Sequence, residues 1–248
     1  MRSFFIAVQF LTCLPIKFAD PPADHEVSRS LVYYPLVGML IGVLLLVVFW
    51  MVNDLPNLIA AVILLAVWIV LTGGLHLDGL ADSADAWVGG LGDKEKTLAI
   101  MKDPRCGSAA VVAIVLVLII KLAALHTILA VQTWQILFLA PILGRAVIPL
   151  LFHTTPYVRQ QGLGSMLAKQ VSFWPGVVAL VTVIVMSAVC GVIVVWALIS
   201  SLLVFAIIRT MMMKRIGGCT GDTAGALVEL VEVTVLLTLL IIMLNHSY

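Results

Sequence analysis

The stretch Ala109-Ala-Val-Val-Ala-Ile-Val-Leu-Val-Leu-Ile-Ile-Lys121-Leu-Ala-Ala-Leu-His126-Thr-Ile-Leu-Ala130 is apolar but for Lys121, His126 and Thr127. A helix needs about 20 predominantly apolar residues to cross a bilayer, so this run predicts a membrane span. Six more runs of the same kind surround it, at about Leu31 to Val52, Leu58 to Leu71, Trp134 to Phe152, Phe173 to Ala188, Val192 to Ile208 and Ala226 to Leu244. Of the 248 residues, 62% are hydrophobic and 11% charged, against about 25% charged in a soluble domain. Water is not the main solvent. A net charge of +1 supplies no field for a nucleic-acid partner. The expected fold is all-α, a polytopic transmembrane bundle of about seven spans forming a single integral membrane domain over residues 1–248.

Charge placement gives the expected orientation. With the N-terminus in the cytoplasm, the outer connections are Asn53-Asp54-Leu55-Pro56, the segment around Thr133, the Cys190-Gly191 turn and the tail Asn245–Tyr248, none holding Lys or Arg. Arg2, Lys17, Arg29, Lys94, Lys96, Lys102, Arg105, Arg159, Lys169, Arg209, Lys214 and Arg215 all fall inside. The bias of basic residues towards cytoplasmic loops predicts N-inside, C-outside. Met1 to Leu14 reads as a retained interfacial helix, because no small-residue cleavage pattern follows its apolar run. Lys121 and Arg145 fall within spans, where a charge normally needs a partner. Lys121 is expected to meet an internal carboxylate or carbonyl. Arg145 is either paired or snorkels to the cytoplasmic surface. Cys13, Cys106, Cys190 and Cys219 show no C-x-x-C spacing and read as unpaired thiols.

Two acidic clusters break the apolar pattern. In Gly73-Gly-Leu-His76-Leu-Asp78-Gly-Leu-Ala-Asp82-Ser-Ala-Asp85-Ala-Trp87, the aspartates stand at i, i+4 and i+7, on one face of a helix. Repulsion among them weakens that helix unless a cation intervenes, and a hard divalent ion suits carboxylate oxygens. The alternative is a solvated amphipathic helix at the membrane surface. A re-entrant or interfacial acidic helix on the cytoplasmic side is therefore expected. His76 stays open between a ligand, a general base and an interfacial histidine. Lys102 and Arg105, in Met101-Lys-Asp-Pro-Arg-Cys-Gly107, precede a helix N-terminus that favours anions; as phosphate contacts or as simple flanking charges they read equally well.

The second cluster is Gly217-Gly-Cys-Thr220-Gly-Asp222-Thr-Ala-Gly225, followed by Glu229 and Glu232. Its glycines let backbone approach a bulky anion, although no Gly-Lys-Ser/Thr makes it a Walker A loop. Asp222 opens a helix, where capping is the alternative role. Two acidic clusters with glycine-rich and basic flanks suggest metal-assisted phosphoryl transfer.

The runs 73–85, 101–107 and 217–226, in that order, closely resemble the signatures of the cobalamin synthase family, the adenosylcobinamide-GDP ribazoletransferases. The resemblance covers essentially the whole chain. It implies a Mg²⁺-dependent enzyme of the cytoplasmic (inner) membrane, joining adenosylcobinamide-GDP to α-ribazole or its 5′-phosphate with release of GMP. His76, Asp78, Asp82 and Asp85 fall on the family's H-x-D-G-x-A-D-x-x-D pattern, and Thr220, Gly221 and Asp222 on its Thr-Gly-Asp pattern. The implied roles are metal binding at Asp78, Asp82, Asp85 and Asp222, and catalysis at Asp82, Asp85 and His76. Contacts to the nucleotide fall to Lys102, Arg105, Thr220 and Gly221. The bilayer and other corrinoid-assembly enzymes are the partners it suggests. A CDP-alcohol phosphotransferase is the enzyme alternative, though its D-x-x-D-G-x-x-A-R run is absent. An ion-coupled transporter, with Lys121, Arg145, Glu229 and Glu232 as a relay, is the other.

Overall fold

The computed structural model describes residues 2–159, 163–168 and 190–245. Among these the chain is helical, with one isolated parallel bridge between Tyr157 and Cys219. The helices are α1 (Arg2–Leu11), α2 (Asp24–Ser30), α3 (Tyr34–Met51), α4 (Asn57–Thr72), α5 (Leu75–Gly89), α6 (Lys94–Ile100), α7 (Ser108–Val131), α8 (Trp134–Thr154), α9 (Leu163–Ala168), α10 (Ile193–Ile216) and α11 (Gly221–Asn245). A 3₁₀ turn, Leu31–Tyr33, joins α2 to α3.

Among the described residues five segments are long and apolar enough to cross a membrane: Asp24–Met51, Ser108–Val131, Trp134–Thr154, Ile193–Ile216 and Gly221–Asn245. Counting α4 with α5 as one broken span would make six. The chain is an integral membrane protein. The span expected at about Phe173 to Ala188 lies outside the described residues, as do Lys169 and the last three residues of the tail.

The acidic helix is set apart from the spans by a sharp corner. α4 and α5 are bent by 86°, and the two residues between them, Gly73 and Gly74, have φ of +62° and +67°. Two consecutive left-handed positions suit glycine and disfavour residues carrying a Cβ. The corner closes α4 as well, since the Gly73 and Gly74 amides donate to the Val70 and Ile69 carbonyls at 3.1 and 3.2 Å. α5 therefore leaves the line of α4 and lies across the end of the bundle.

α8 is the central helix: 83% of its apolar window is buried, against 28% for α7 and for α10, which present lipid-facing surfaces. α3 packs on α8 through Gly38 and Gly42. A Cβ at Gly38 would lie 2.7 Å from Ile142 Cα, and one at Gly42 would lie 2.8 Å from the Phe138 ring. These small residues serve close packing within the chain. At one end of the bundle Gln132 Nε2 donates to Asn53 Oδ1 at 2.7 Å, joining the α3–α4 and α7–α8 connections. The opposite end gathers α5, the 101–107 loop, residues 155–159 and the 217–222 loop. All four cysteines are free thiols.

Candidate active site where α5 crosses the start of α11

The site exists because α5 touches the first turn of α11 backbone to backbone. A Cβ at Gly79 would lie 2.6 Å from the Asp222 carbonyl oxygen, and one at Gly225 would lie 3.3 Å from His76 Cα. The Gly79 contact excludes a side chain, and the Gly225 contact is tight. The crossing carries Asp222 to the acidic face of α5, while Leu77, Leu80, Ala81 and Ala86 bury the other side of that helix. Burial pushes the Asp82 carboxyl up to about 6; the Asp78 and Asp222 carboxylates add to the rise, Arg159 opposes it, and Asp85 contributes least. The sequence-predicted acids thus converge in part: Asp78, Asp82 and Asp222 form one field of like charge.

Arg159 is the cation of that field, a residue the sequence reading counted only as a basic flank. Its Nη2 donates to Asp222 Oδ2 at 2.5 Å and to the Met101 carbonyl at 3.4 Å. The backbone aims it. Val158 N donates to Cys219 O at 3.0 Å and Cys219 N to Pro156 O at 2.8 Å, tying the segment after α8 to the loop before α11. Gly218 sits against this bridge, where a Cβ would be 2.7 Å from Val158 Cγ1. Only the pairing of two segments distant in sequence reveals Arg159; its local sequence carries no such signal.

Other predicted site residues have structural work. Asp85 accepts from Gly107 N at 2.5 Å and from Ala110 N at 2.9 Å, capping the first turn of α7 from another helix. Thr220 and Thr223 cap α11 reciprocally: Thr223 N donates to Thr220 Oγ1 at 3.2 Å and Thr220 N to Thr223 Oγ1 at 2.8 Å. The amides of Cys219 and Thr220 are consequently engaged within the chain, unlike the open anion cradle that the glycine-rich run suggests. Gly221 begins α11 at the surface. Arg105 is exposed and grips Asp103 with bonds of 2.5 to 3.1 Å, which hold the Asp103 carboxyl down at about 2. Lys102 is exposed beside it.

His76 is buried and belongs to an ionic network inside the bundle. Lys121 Nζ donates to Glu229 Oε2 at 2.6 Å and to Glu232 Oε2 at 2.5 Å, with the Trp68 ring 4.7 Å from Nζ. Arg145 pairs with Glu232 Oε1 and lies 3.3 Å, through Nη2, from His76 Nδ1. Arginine only donates, so Nδ1 accepts. Lys121 thus finds the internal carboxylates expected of it. Arg145 is fully buried, so the snorkelling alternative is overturned: Glu232 reaches it, and Gly144 leaves room for the Glu232 side chain. Two acids and two bases close on one another.

A cavity of about 370 Å³ opens beside the acids, lined by residues of α1, α3, α5, α8, α9 and α11 that include His76, Asp78 and Asp222. Among the described residues no three His, Cys, Asp or Glu side chains are gathered into a metal cage. The site fits a different mode of metal binding. Mg²⁺ is commonly held by one or two carboxylates plus substrate phosphates, and Asp78 and Asp222 beside the cavity are carboxylates of that kind, with Arg159 bonded to Asp222.

Fold and site together define a helical membrane protein with an acidic centre at one end of its bundle. The chain belongs to the Cobalamin-5-phosphate synthase family, whose model matches residues 3–240. It is 50% identical over 240 residues to the adenosylcobinamide-GDP ribazoletransferase of Pseudomonas syringae pv. syringae, covering 96% of this chain and 99% of the relative. It is 49% identical to that of Pseudomonas fluorescens over 96% of this chain and 98% of the relative, and 48% identical to that of Pseudomonas putida over the same shares. No solved structure matches the chain significantly.

Proposed function

We propose that this chain carries out the reaction that names its relatives, as an adenosylcobinamide-GDP ribazoletransferase of cobalamin synthesis. A hydroxyl oxygen of α-ribazole, or of its 5′-phosphate, bonds to the phosphorus nearer the corrinoid. The bond from that phosphorus to the GMP oxygen breaks, and GMP leaves. The convergence of Asp78 and Asp82 with Asp222 at the α5–α11 crossing carries this reading, because a diphosphate needs its charge neutralised before an oxygen nucleophile can approach.

Asp78 and Asp222 are the carboxylates for Mg²⁺, which when bound supplies positive charge to the diphosphate and to the departing phosphate oxygen. Asp82, raised towards neutrality, takes the hydroxyl proton; a carboxylate poised nearer the working pH is the better base. Asp85 keeps α7 in register below them. Arg159 holds Asp222. Lys102 and Arg105 steady the nucleotide phosphates from the 101–107 loop.

Seven spans with the N-terminus inside and the C-terminus outside put this centre on the cytoplasmic face of the inner membrane. The basic residues at the end that holds the 101–107 loop and Arg159, against an opposite end at Gln132 and Asn53 without Lys or Arg, support that orientation. The experiment is GMP release by purified protein in detergent, given both substrates, with Mg²⁺ and with EDTA. Release that requires both substrates and the metal is expected. Folded protein that releases no GMP overturns the proposal.

A further inference from the structure

The cavity beside the acids has a size and a lining that select among the parts of the two substrates. At about 370 Å³ it accepts one nucleoside-sized group; pockets of about 300–1,000 Å³ serve small ligands, and a corrin macrocycle with its side chains does not enter the low end of that range. Its walls away from the acids are mostly apolar, built from Phe10 and Leu11 of α1, Ile148 and Phe152 of α8 and Leu167 of α9, with Gln9 of α1 and Tyr34 of α3 as the polar side chains among them. The charged and imidazole side chains gather where α5 meets α11, at His76, Asp78 and Asp222.

Guanine would enter with its ring carbonyl, ring N–H and exocyclic amine against a mostly hydrocarbon wall, where the Gln9 amide already donates to the Ile16 carbonyl at 3.2 Å and the Tyr34 hydroxyl bonds to Ser30. Each polar group left without a partner on burial costs about 1–3 kcal/mol. A base with an unsubstituted or methylated aromatic bicycle has no such groups to strand.

We infer that this cavity is the binding site of the acceptor nucleoside, holding its apolar bicyclic base between Phe10, Ile148 and Phe152 and directing its ribose hydroxyls towards the carboxylates of the α5–α11 crossing. The inference rests on the transfer reaction proposed above and deepens it: the guanine nucleotide and the corrinoid stay outside this pocket, on the other side of the carboxylates. α1 becomes a wall of the site. That helix is held in place by Cys13 N donating to Leu71 O at 2.8 Å, and by Arg2 donating to Asp20 O at 2.7 Å. An acceptor selected by an apolar pocket should tolerate changes that keep the base flat and apolar, and should lose affinity when the base gains polar edges.

The test uses full-length protein in detergent and steady-state GMP release, with each substrate varied in turn. Phe10→Ala removes one wall at a half-buried position, and Leu75→Trp adds bulk at an exposed position on the rim, so neither disturbs the bundle. Unchanged thermal unfolding midpoints verify that. The expected result for both variants is a KM for α-ribazole 5′-phosphate raised about tenfold, equivalent to about 1.4 kcal/mol, with the KM for adenosylcobinamide-GDP within about twofold of wild type. A ribosyl analogue with plain benzimidazole should compete with the acceptor in the wild type, and α-adenosine should compete at least tenfold less well. A raised KM for adenosylcobinamide-GDP instead would give the cavity to the other substrate. Both KM values unchanged would leave it to a lipid chain or a packing void. Either overturns the inference. A wild type releasing no GMP at all would defeat the reaction itself, a distinguishable failure.

Discussion

Asp222 and Arg159, 63 residues apart in the chain, meet at 2.5 Å beside the α5 carboxylates, so the acidic field is built with one positive charge inside it. Arg159→Ala leaves Asp78, Asp82 and Asp222 with mutual repulsion and, among the described residues, no opposing cation. Two consequences of opposite sign follow. The site should hold Mg²⁺ at lower concentration, because more negative charge remains. Turnover should fall at least tenfold, because the donor that orients Asp222 is gone; charge-assisted hydrogen bonds of this kind are worth about 1.5–3 kcal/mol. Titrating GMP release against Mg²⁺ separates the effects, and Arg159→Lys should recover part of the rate. Unchanged turnover in Arg159→Ala would remove Arg159 from the site.

Asp82 and Asp85 stand on the same helical face but do different work, and neutral amides distinguish them. Asp85 accepts two amides at the start of α7. Asparagine keeps one acceptor oxygen there, so Asp85→Asn should lower the unfolding midpoint, by a loss of about 1–2 kcal/mol, while GMP release survives. Asp82→Asn should leave the midpoint alone or raise it, since a charge that its neighbours repel has gone, and turnover should collapse by at least a hundredfold. Reversal of the two phenotypes would return Asp85 to the chemistry and Asp82 to the scaffold.

How much of this was legible in the sequence depends on the range of the interaction. The apolar runs placed α3, α4, α7 and α8 within about three residues, because span length is set by the bilayer and not by neighbours, whereas α10 runs on to Ile216 and α11 begins at Gly221, beyond the apolar runs read for them, through polar and basic residues at their site ends. The i, i+4, i+7 aspartates put α5 on the page for the same local reason. Arg159 could not be seen, since its role depends on the pairing of 156–158 with 219. Nor could the capping tasks of Asp85 and Thr220 be separated from catalysis, because a carboxylate or hydroxyl in a motif looks the same whether it meets a ligand or a backbone amide. The fate of Arg145 turned on Glu232, 87 positions away, and on the room that Gly144 leaves.

Gly79 is where the two helices that share the site come closest. A methyl group there would meet the Asp222 carbonyl at 2.6 Å and its Cα at 3.0 Å, and backbone on both sides cannot yield without separating α5 from α11. Gly79→Ala changes no charge and removes no ligand. It should nevertheless cut turnover by at least tenfold, since displacements of about 1 Å can lose two orders of magnitude, with Mg²⁺ dependence weakened as Asp78 and Asp222 move apart. Gly74→Ala is the control in the neighbouring corner: no atom lies near its Cβ, so only the left-handed backbone opposes it, at about 1–2 kcal/mol. A fully active Gly79→Ala enzyme would mean that the two helices do not act together.

The buried quartet behind His76 gives the last expectation. Lys121 sits between Glu229 and Glu232, and Glu232 also holds Arg145, so removing the lysine charge strands an acid in the bundle. Breaking a buried pair from one side costs about 3–5 kcal/mol, whereas removing both charges is often neutral. Lys121→Met should therefore lower the unfolding midpoint sharply and reduce the yield of folded protein. Lys121→Met combined with Glu229→Gln should restore most of the loss, since Arg145 and Glu232 remain a neutral pair. Arg145→Met should do something more, because it also frees His76 Nδ1: its GMP release should fall further than its stability does, with the deficit in kcat and not only in the amount of folded enzyme. Equal stability losses in the Lys121→Met single and Lys121→Met/Glu229→Gln double variants would show that the charges are not coupled, and that Glu229 finds water or lipid headgroups when the lysine is gone.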